Sequence, residues 1–392
     1  FVLFPLLVSS LSAAADAPQL WYRAPAQLWS EALPVGNGRL GAMVFGGVPR
    51  ERLQLNEGTL WSGSARDYDR VGAFKHLPEV RRLLFAGDHA AAEALVAKEF
   101  LGERPLGAYQ PLGNLLLTFG DTAAFTDYRR ELDLDAAIVR TTYRIGEATF
   151  TREVFSSAPH QVIVVRLTCD RPGKISFSAT LTRAEAAECV SSGADGLELR
   201  GQADRGKPTA GVRFAAHLRA VPDGGTITNR AGVLRIENAD AVTLLLTAGT
   251  DYRGAESLAR SAAPLAAAAR FTYTQLRDAH LNDHRALFRR VTLDLGREAG
   301  TAAPTDERIR RVVEGGTDAA LSALYFHYGR YLLIGSSRPG NLPANLQGIW
   351  NDNLNPPWFC GWHFDVNAQM IYWLAETTNL AECHEPLFDL IE

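Results

Sequence analysis

Residues that could act on an uncharged polar ligand are concentrated between positions 338 and 373. This segment contains four tryptophans, one histidine and a run of asparagine and glutamine residues, and its prolines fix the path of the backbone. Aromatic rings stack on the C–H faces of neutral sugars, and planar amides or carboxylates bridge neighbouring hydroxyl groups. We therefore predict a neutral-sugar site in this segment. Its expected substrate-binding residues are Trp350, Asn351, Trp358, Trp362 and Gln347.

Asp365 and Asn367 lie where this segment enters a predicted helix at residues 365–377. His363 and Asn367 share a helical face if the helix begins early, whereas Asp365 and Asn367 converge only where the backbone is extended. Either geometry places polar groups at the mouth of the helix. We expect the side-chain oxygens of Asp365 and Asn367 to accept hydrogen bonds from a water and to orient it for attack on an anomeric carbon.

A structural interpretation of the same segment stays open. The tryptophans could fill a core, the amides could cap helix ends, Asp365 could be a helix N-cap, and His363 could be a buried structural residue. The density of amides favours the sugar site, because capping uses single asparagines and does not require a run of them.

The elements that must position this segment begin with a long stretch of period-two sequence, from Trp21 to about Tyr252. Residues 141–145 and 148–155 predict two strands around a tight turn at Gly146. Residues 162–165 and 242–246 have the apolar runs typical of strands buried on both faces. The pattern predicts a large antiparallel β-sandwich, with one helical interruption at residues 78–100.

After Tyr252 the periodicity becomes helical. An alanine-rich stretch and a segment containing His280 and His284 predict a helical linker. Residues 318–334 predict a helix capped by Asp318. The next helix, at residues 365–377, is expected to bury Val366, Met370 and Trp373, and a third should follow Asn379. This order is expected at the start of a helical barrel, and a plain helix bundle remains an alternative.

The chain divides into four predicted parts: residues 1–17 as a signal-peptide remnant, 18–255 as the sandwich, 256–312 as the linker and 313–392 as the start of the helical domain. The apolar run at residues 1–8, followed by small residues, is typical of a signal peptide. We expect a secreted or periplasmic protein that does not insert into the membrane after the signal is removed. Both ends are abrupt, which indicates a piece of a longer gene product.

Composition narrows the class of partner. The 392 residues are 46% hydrophobic and 21% charged, with a net charge of −4, which fits two or three globular domains. Basic residues are neither in excess nor clustered, so no nucleic-acid partner is expected. No cluster has metal-ligand spacing, so neither a metal nor another cofactor is expected. Four cysteines, Cys169, Cys189, Cys360 and Cys383, could form disulfides in three connectivities.

Five motifs, in the same order, make the chain resemble glycoside hydrolase family 95, the inverting α-L-fucosidases. They are LWYRAPA at residues 20–26, ALPVGNGRLGAM at 32–43, LNEGTLWSG at 55–63, YQPLGNL at 109–115 and PANLQGIWN at 343–351. The resemblance runs from about Leu20 to the last residue. It implies an N-terminal antiparallel β-super-sandwich, a helical linker and the first helices of a truncated six-hairpin α/α barrel.

The resemblance also implies removal of terminal α-1,2-linked L-fucose from a fucosylated oligosaccharide or a plant or host glycan, with inversion. Inversion needs an acid and a base carboxyl roughly 6.5–9.5 Å apart. The family's glutamic acid and aspartate base would lie beyond residue 392, so this chain alone should be inactive. The family's Asn-x-Asn pattern, which assists the base, corresponds here to Asp365-Val366-Asn367. Asn367 matches, Asp365 departs from the usual asparagine, and His363 matches a sugar-contacting histidine.

Three alternatives to an α-L-fucosidase stay open. An α-L-galactosidase of the same family is the nearest alternative, and the presence of His363 favours fucose. A non-catalytic carbohydrate-binding paralogue would use the aromatic segment for capture alone. A sugar phosphorylase would need a cationic phosphate pocket, and the segment offers only Arg338. The oligomeric state is left open by the sequence.

Overall fold

Two antiparallel sheets form the N-terminal part of the computed structural model, and helices follow them. The structure describes residues 18–65, 67, 69–102, 106–120, 124–296 and 302–392. The predicted signal peptide at residues 1–17 lies outside the described residues.

The first sheet has nine strands in the order β1-β6-β7-β8-β9-β16-β13-β12-β11, all paired antiparallel. The tight turn predicted at Gly146 is confirmed, since Ile145 pairs with Ala148. The strands of this sheet are β1 (Gln19–Tyr22), β6 (Thr126–Asp133), β7 (Ile138–Ile145), β8 (Ala148–Ser157), β9 (Val162–Cys169), β11 (Ala187–Ser192), β12 (Gly196–Gln202), β13 (Arg213–Asp223) and β16 (Ala241–Thr250).

The second sheet has seven strands in the order β14-β15-β10-β5-β4-β3-β2, again antiparallel. Its strands are β2 (Leu33–Gly36), β3 (Leu40–Val44), β4 (Arg50–Glu57), β5 (Gly113–Thr118), β10 (Ile175–Thr182), β14 (Thr226–Arg230) and β15 (Val233–Ala239). Leucine, isoleucine and valine side chains from both sheets form one buried cluster between them. The predicted antiparallel sandwich is therefore confirmed.

Strands β9 and β16 lie near the middle of the first sheet and are buried on both faces, as their apolar runs predicted. One face of these strands contributes to the core between the sheets. The other face packs under helices, where Val164 and Leu245 share a buried cluster with Leu276 and Leu281. A strand covered on both faces has no polar side, which explains why its sequence does not alternate.

Helices interrupt and then follow the sandwich. The interruption predicted at residues 78–100 is confirmed as two helices, broken at Gly87, where φ is +77°. Asp88 caps the second helix by accepting a hydrogen bond from the backbone N–H of Ala91 at 3.1 Å. The nine helices of the described chain are α1 (Leu77–Phe85), α2 (His89–Glu99), α3 (Ala255–Ala259), α4 (Ala263–Ala268), α5 (Tyr273–Phe288), α6 (Thr305–Val313), α7 (Ala319–Ser336), α8 (Asn367–Thr377) and α9 (Glu385–Ile391).

Helix α5 fastens the helical part to the sandwich. Its buried His280 and His284 bond through Nε2 to the backbone carbonyls of Ala136, at 2.9 Å, and Leu134, at 2.8 Å. The fully buried Arg330 of α7 donates to the carbonyl of Phe288 at 2.6 Å, at the C-terminal end of α5. A cation is favourable there because the helix dipole is negative at that end.

The sequence predicted the cap and the length of α7 and the buried face of α8. Asp318 caps α7 as expected, accepting from the N–H of Leu321 at 2.8 Å, although the helix extends two residues further than predicted. Within the described chain the predicted inner face of α8 is wrong: Val366, Met370 and Trp373 are exposed, and Trp373 is 63% accessible. The buried stripe is instead Ala368, Tyr372 and Ala375. The helix begins at Asn367, after a sharp backbone turn at Val366, and this sets which face packs inward.

The four cysteines are free thiols, so none of the three disulfide connectivities that the sequence allows is present. Burial raises the pKa of Cys360 to about 12 and that of Cys383 to about 11, which keeps both protonated at neutral pH. Among the described residues, no helix has the length and apolar character needed to cross a membrane.

Candidate functional site

Trp350 anchors the predicted sugar segment to the sandwich. Its indole Nε1 donates to the carbonyl of Val35 at 3.0 Å, and only 5% of the residue is exposed. The ring fits a slot made by glycines. A Cβ on Gly36 would lie 2.3 Å from the carbonyl oxygen of Gly335, and one on Gly41 would lie 3.1 Å from Trp350 Nε1. The expected contact between Trp350 and substrate is therefore corrected, because the ring is enclosed by protein.

Asn351 is also structural. Its backbone carbonyl accepts hydrogen bonds from the amides of Gln54 and Asn56, both at 2.9 Å, and its side-chain amide donates to the carbonyl of Tyr109 at 3.0 Å. All four residues are buried. Buried amides are stable only when their polar atoms are paired, and this network pairs them across the two parts of the chain. The prediction that Asn351 binds substrate is corrected for this reason.

The run of asparagines has a local explanation that the sequence argument overlooked. The side-chain oxygen of Asn351 accepts from the N–H of Asn353, and that of Asn353 accepts from the N–H of Asn355, at 3.0 and 2.9 Å. Asn345 makes the same turn with the N–H of Gln347 at 2.9 Å. Such turns use one asparagine every two residues, so a dense run can be structural. Gln347 itself is half-buried.

A strained turn follows, at residues 357–361. Trp358, Phe359 and Cys360 all have left-handed backbone angles, with φ of 47°, 58° and 54°. Each such residue costs on the order of 1–3 kcal/mol, and strain of this kind is found at functional sites. The turn is held in place because the N–H of Tyr109 donates to the carbonyl of Phe359 at 3.0 Å. The outcome is that Trp358 projects from the surface, 71% exposed.

Trp362 joins the segment to the sandwich through an aromatic stack. Its ring lies over Trp61, with centroids 4.7 Å apart and planes at 30°, and Trp61 also contacts Tyr109 at 5.4 Å. Its indole Nε1 donates to the carbonyl of Pro343 at 3.1 Å. Sequence reasoning missed Trp61 as part of this site, although it lies within the LNEGTLWSG motif. Periodicity cannot identify a partner so distant along the chain.

His363, Asp365 and Asn367 lie in and around the turn that leads into α8. His363 Nε2 lies 3.2 Å from the carbonyl oxygen of Trp358, and the backbone carbonyl of His363 accepts from the N–H of Ala368 at 2.9 Å. Residues 364–366 form a turn, so the segment is neither the helix nor the extended strand that the sequence allowed. Asp365 and Asn367 are exposed, and His363 is half-buried.

Asp365 does not cap α8. The N-cap position is occupied by Val366, whose φ of 77° is rare for a β-branched residue, and no side chain bonds to the helix end. The turn at Val366 directs the chain so that the polar side chains on either side remain accessible. Within the described part of the chain, neither the carboxylate of Asp365 nor the amide of Asn367 has a protein hydrogen-bond partner, so both are free to bind a water or a hydroxyl group.

Tyr372 anchors α8 to the preceding helix and loop through buried hydrogen bonds. Its hydroxyl accepts from the N–H of Ala344 at 2.8 Å and lies 2.7 Å from the hydroxyl of Ser337, which donates to the carbonyl of Cys383 at 2.7 Å. Burial raises the pKa of Tyr372 to about 12, so the phenol stays neutral. These bonds tie α8 to the C-terminal end of α7, to Ala344 of the loop and to Cys383.

Comparison with known families agrees with this layout. Residues 20–255 match the model of the glycosyl hydrolase family 65 N-terminal domain, and residues 272–392 match that of the glycosyl hydrolase family 95 catalytic domain. A candidate kojibiose phosphorylase from the human microbiome has a similar fold, with a TM-score of 0.50 and 8% identity. The similarity covers 85% of this chain and 45% of that one.

Similar curated proteins carry fucosidase names. "Alpha-L-fucosidase 2" of Arabidopsis thaliana is 35% identical across 95% of this chain and 48% of its own length. "Probable alpha-fucosidase A" of Aspergillus niger is 32% identical across 98% of this chain and 52% of its own length. The chain thus spans about half the length of these relatives. It belongs to the glycoside hydrolases in which a family 65-type N-terminal domain precedes a family 95 catalytic domain.

Proposed function

We propose that this protein is an exo-acting α-L-fucosidase that removes terminal α-1,2-linked L-fucose from a neutral glycan with inversion. The observation that supports this most directly is that His363, Asp365 and Asn367 are accessible at the start of α8, with the exposed Trp358 joined to His363 through its backbone carbonyl at 3.2 Å. His363 contacts the sugar, and Asp365 and Asn367 accept the hydrogen bonds of the attacking water. Trp358, Trp362 and Gln347 complete the sugar contacts. We also propose that the protein acts outside the cytoplasm, as a secreted or periplasmic enzyme.

The acid and the base come from elsewhere in the protein. Residues 338–373 contain two carboxylates, and Asp352 is occupied by Arg52 at 3.8 Å. An inverting hydrolase needs two carboxyls on opposite sides of the anomeric carbon, with a water between the base and the sugar. Since the chain spans about half the length of its curated relatives, we propose that both carboxyls belong to the remainder of a six-hairpin α/α barrel. Helices α7–α9 are the first helices of that barrel.

The alternatives differ in the chemistry that they require. An α-L-galactosidase would use the same groups on a sugar with one more hydroxyl, and a carbohydrate-binding paralogue would lack the acid and base. A phosphorylase needs cations free to bind phosphate. Arg338, the one cation of the segment, is held by the carboxylate of Asp283 at 2.6 and 2.8 Å. No observation favours these alternatives over hydrolysis of a fucoside.

The test is an assay of the protein encoded by the complete gene on 2'-fucosyllactose and on the matching L-galactoside, with the anomer of the released sugar followed by NMR. We expect β-L-fucose as the first product and a higher kcat/KM for the fucoside. The chain of residues 18–392, assayed in parallel, should release no fucose. Release of the α-anomer would contradict inversion, and phosphate-dependent cleavage would contradict hydrolysis.

A further inference from the structure

A cavity of the sandwich is lined in part by Trp61, the ring that stacks on Trp362. It has a volume of about 500 Å³ and is lined by Trp61, Ser64, Asp251 and Tyr252, together with the backbone of Gly107 and Gly211. This volume falls within the range of small-molecule sites. No residue of residues 338–373 lines it, so it is distinct from the group around His363.

The chemistry of the lining suits a neutral sugar. Trp61 and the half-exposed Tyr252 supply aromatic surface. Asp251 supplies a carboxylate whose oxygens are already oriented, because Arg213 donates to them from its backbone N–H at 2.7 Å and from Nε at 2.8 Å. The guanidinium compensates the negative charge, and none of the described residues lining the cavity is a cation. An anionic ligand would therefore gain nothing here, whereas hydroxyl groups can use the remaining lone pairs of Asp251.

The cavity is also preorganised. A Cβ on Gly107 would lie 2.0 Å from the carbonyl oxygen of Ser62, and one on Gly211 would lie 2.2 Å from that of Trp61. The three backbone segments are therefore in direct contact, and the N–H of Gly63 donates to the carbonyl of Thr209 at 2.6 Å. These packed backbone segments hold Trp61 in place, so little conformational freedom is lost when a ligand binds.

We propose that this cavity is a subsite for the saccharide units that follow the terminal fucose of a neutral glycan. The proposal rests on the proposed function. Trp61 both lines the cavity and stacks on Trp362, and Trp362 directly precedes His363 in the sequence. A glycan with its fucose at His363 would cross this stack and place its next units between Trp61 and Tyr252.

The experiment measures binding of L-fucose, lactose and 2'-fucosyllactose to the chain by calorimetry and ligand-observed NMR. Tyr252→Ala should weaken the binding of 2'-fucosyllactose and lactose about three- to tenfold, the range expected for one aromatic contact. The affinity for fucose should stay unchanged. Tyr252→Phe should restore the affinity because it keeps the ring. Tyr325→Ala, at a tyrosine of α7 that is 78% exposed, is the matched control and should change nothing.

His363→Ala separates this subsite from the fucose site, because it should weaken the binding of fucose and leave the binding of lactose unchanged. If Tyr252→Ala binds all three sugars as the wild type does, the subsite is overturned and the fucosidase proposal stands. If lactose binds in a Tyr252-dependent way and fucose does not bind, the subsite stands and the fucose site fails. Equal losses in Tyr252→Ala and Tyr252→Phe would overturn the stacking account.

Discussion

Trp61 of the sandwich and Trp362 of the loop before α8 stack with their ring centroids 4.7 Å apart. The two rings belong to different parts of the chain, so their contact fixes the loop that bears His363 against the sheet. The position of the candidate site therefore depends on packing between domains as well as on the loop's own hydrogen bonds.

We expect Trp61→Ala and Trp362→Ala to be coupled by about 0.5–1.5 kcal/mol in the free energy of unfolding, the excess energy of an aromatic pair. A double-mutant cycle followed by urea unfolding measures this. The control cycle pairs Trp61 with Trp373, a tryptophan of α8 that is 63% exposed, and should give coupling near zero. Additive losses for Trp61 and Trp362 would show that the stack contributes no energy.

A second prediction concerns the glycines that enclose Trp350. Gly36→Ala should destabilise the protein by about 2 kcal/mol or more, because its Cβ would meet the backbone carbonyl of Gly335 at 2.3 Å and overpacking against backbone is not relieved by a rotamer change. Gly329→Ala is the matched control. It lies inside α7 with open space around its Cβ, so the substitution should stabilise by about 0.5–1 kcal/mol. Thermal and urea unfolding measure both changes in stability. Equal changes for Gly36→Ala and Gly329→Ala would show that the packing at Gly36 can accommodate a methyl group.

The sandwich could be predicted from the sequence because the order of apolar and polar residues along a strand shows which of its faces are buried. Apolar and polar residues alternate in β10, which is buried on one face, and apolar residues run continuously in β9 and β16, which are buried on both faces. The face of α8 could not be predicted in the same way. Its apolar residues occur on more than one side, and the turn at Val366 selected Ala368 and Tyr372 for burial.

The candidate site was predicted in part for a similar reason. Composition identified the segment but could not separate a tryptophan in a slot, Trp350, from one on the surface, Trp358. The difference is set by Gly36 and Gly41 on distant strands. Likewise, Asn351 and Asn367 have the same side chain, and Asn351 is structural because Gln54 and Asn56 of β4 bind its backbone carbonyl.

Acid should weaken the attachment of α5. Burial lowers the pKa of His280 to about 4 and that of His284 to about 3, so both are neutral in the folded protein while the unfolded chain binds protons near pH 6.5. The stabilisation is complete above about pH 6.5 and is lost as the pH falls from there toward the folded values. Between pH 7.5 and pH 5 each histidine should cost about 2 kcal/mol of unfolding free energy.

Urea unfolding at several pH values checks this. His280→Gln keeps a donor for the carbonyl of Ala136 and removes the titration, so it should reduce the pH dependence by about half. His89→Gln, at an exposed position of α2, should leave the pH dependence unaltered. A wild-type protein equally stable at pH 5 and pH 7.5 would contradict the account.

The charge of Asp365 should be visible in the pH–rate profile of the complete gene product. A negative charge near the catalytic base raises that base's pKa, since it disfavours a second anion. Asp365→Asn removes the charge and keeps an acceptor oxygen, so the acidic limb of kcat/KM should move to lower pH by up to about one unit. Asp352→Asn, which alters the pair with Arg52, is the control and should not move it.

Asn367 should matter for turnover and little for binding. The oriented water begins to bond to the anomeric carbon only in the transition state, as the glycosidic bond breaks. Asn367→Ala should therefore lower kcat by about 10²- to 10³-fold and change KM for 2'-fucosyllactose by less than about threefold. Asn353→Ala removes an amide that serves only its own turn with Asn355, and its kcat should stay within about twofold of the wild type. Since Asn367 is exposed and bonded to no other side chain in the described structure, its loss should not alter the melting temperature. A rise in KM that matches the fall in kcat/KM, with kcat unchanged, would assign Asn367 to sugar binding and would remove the argument for a water held at the mouth of α8.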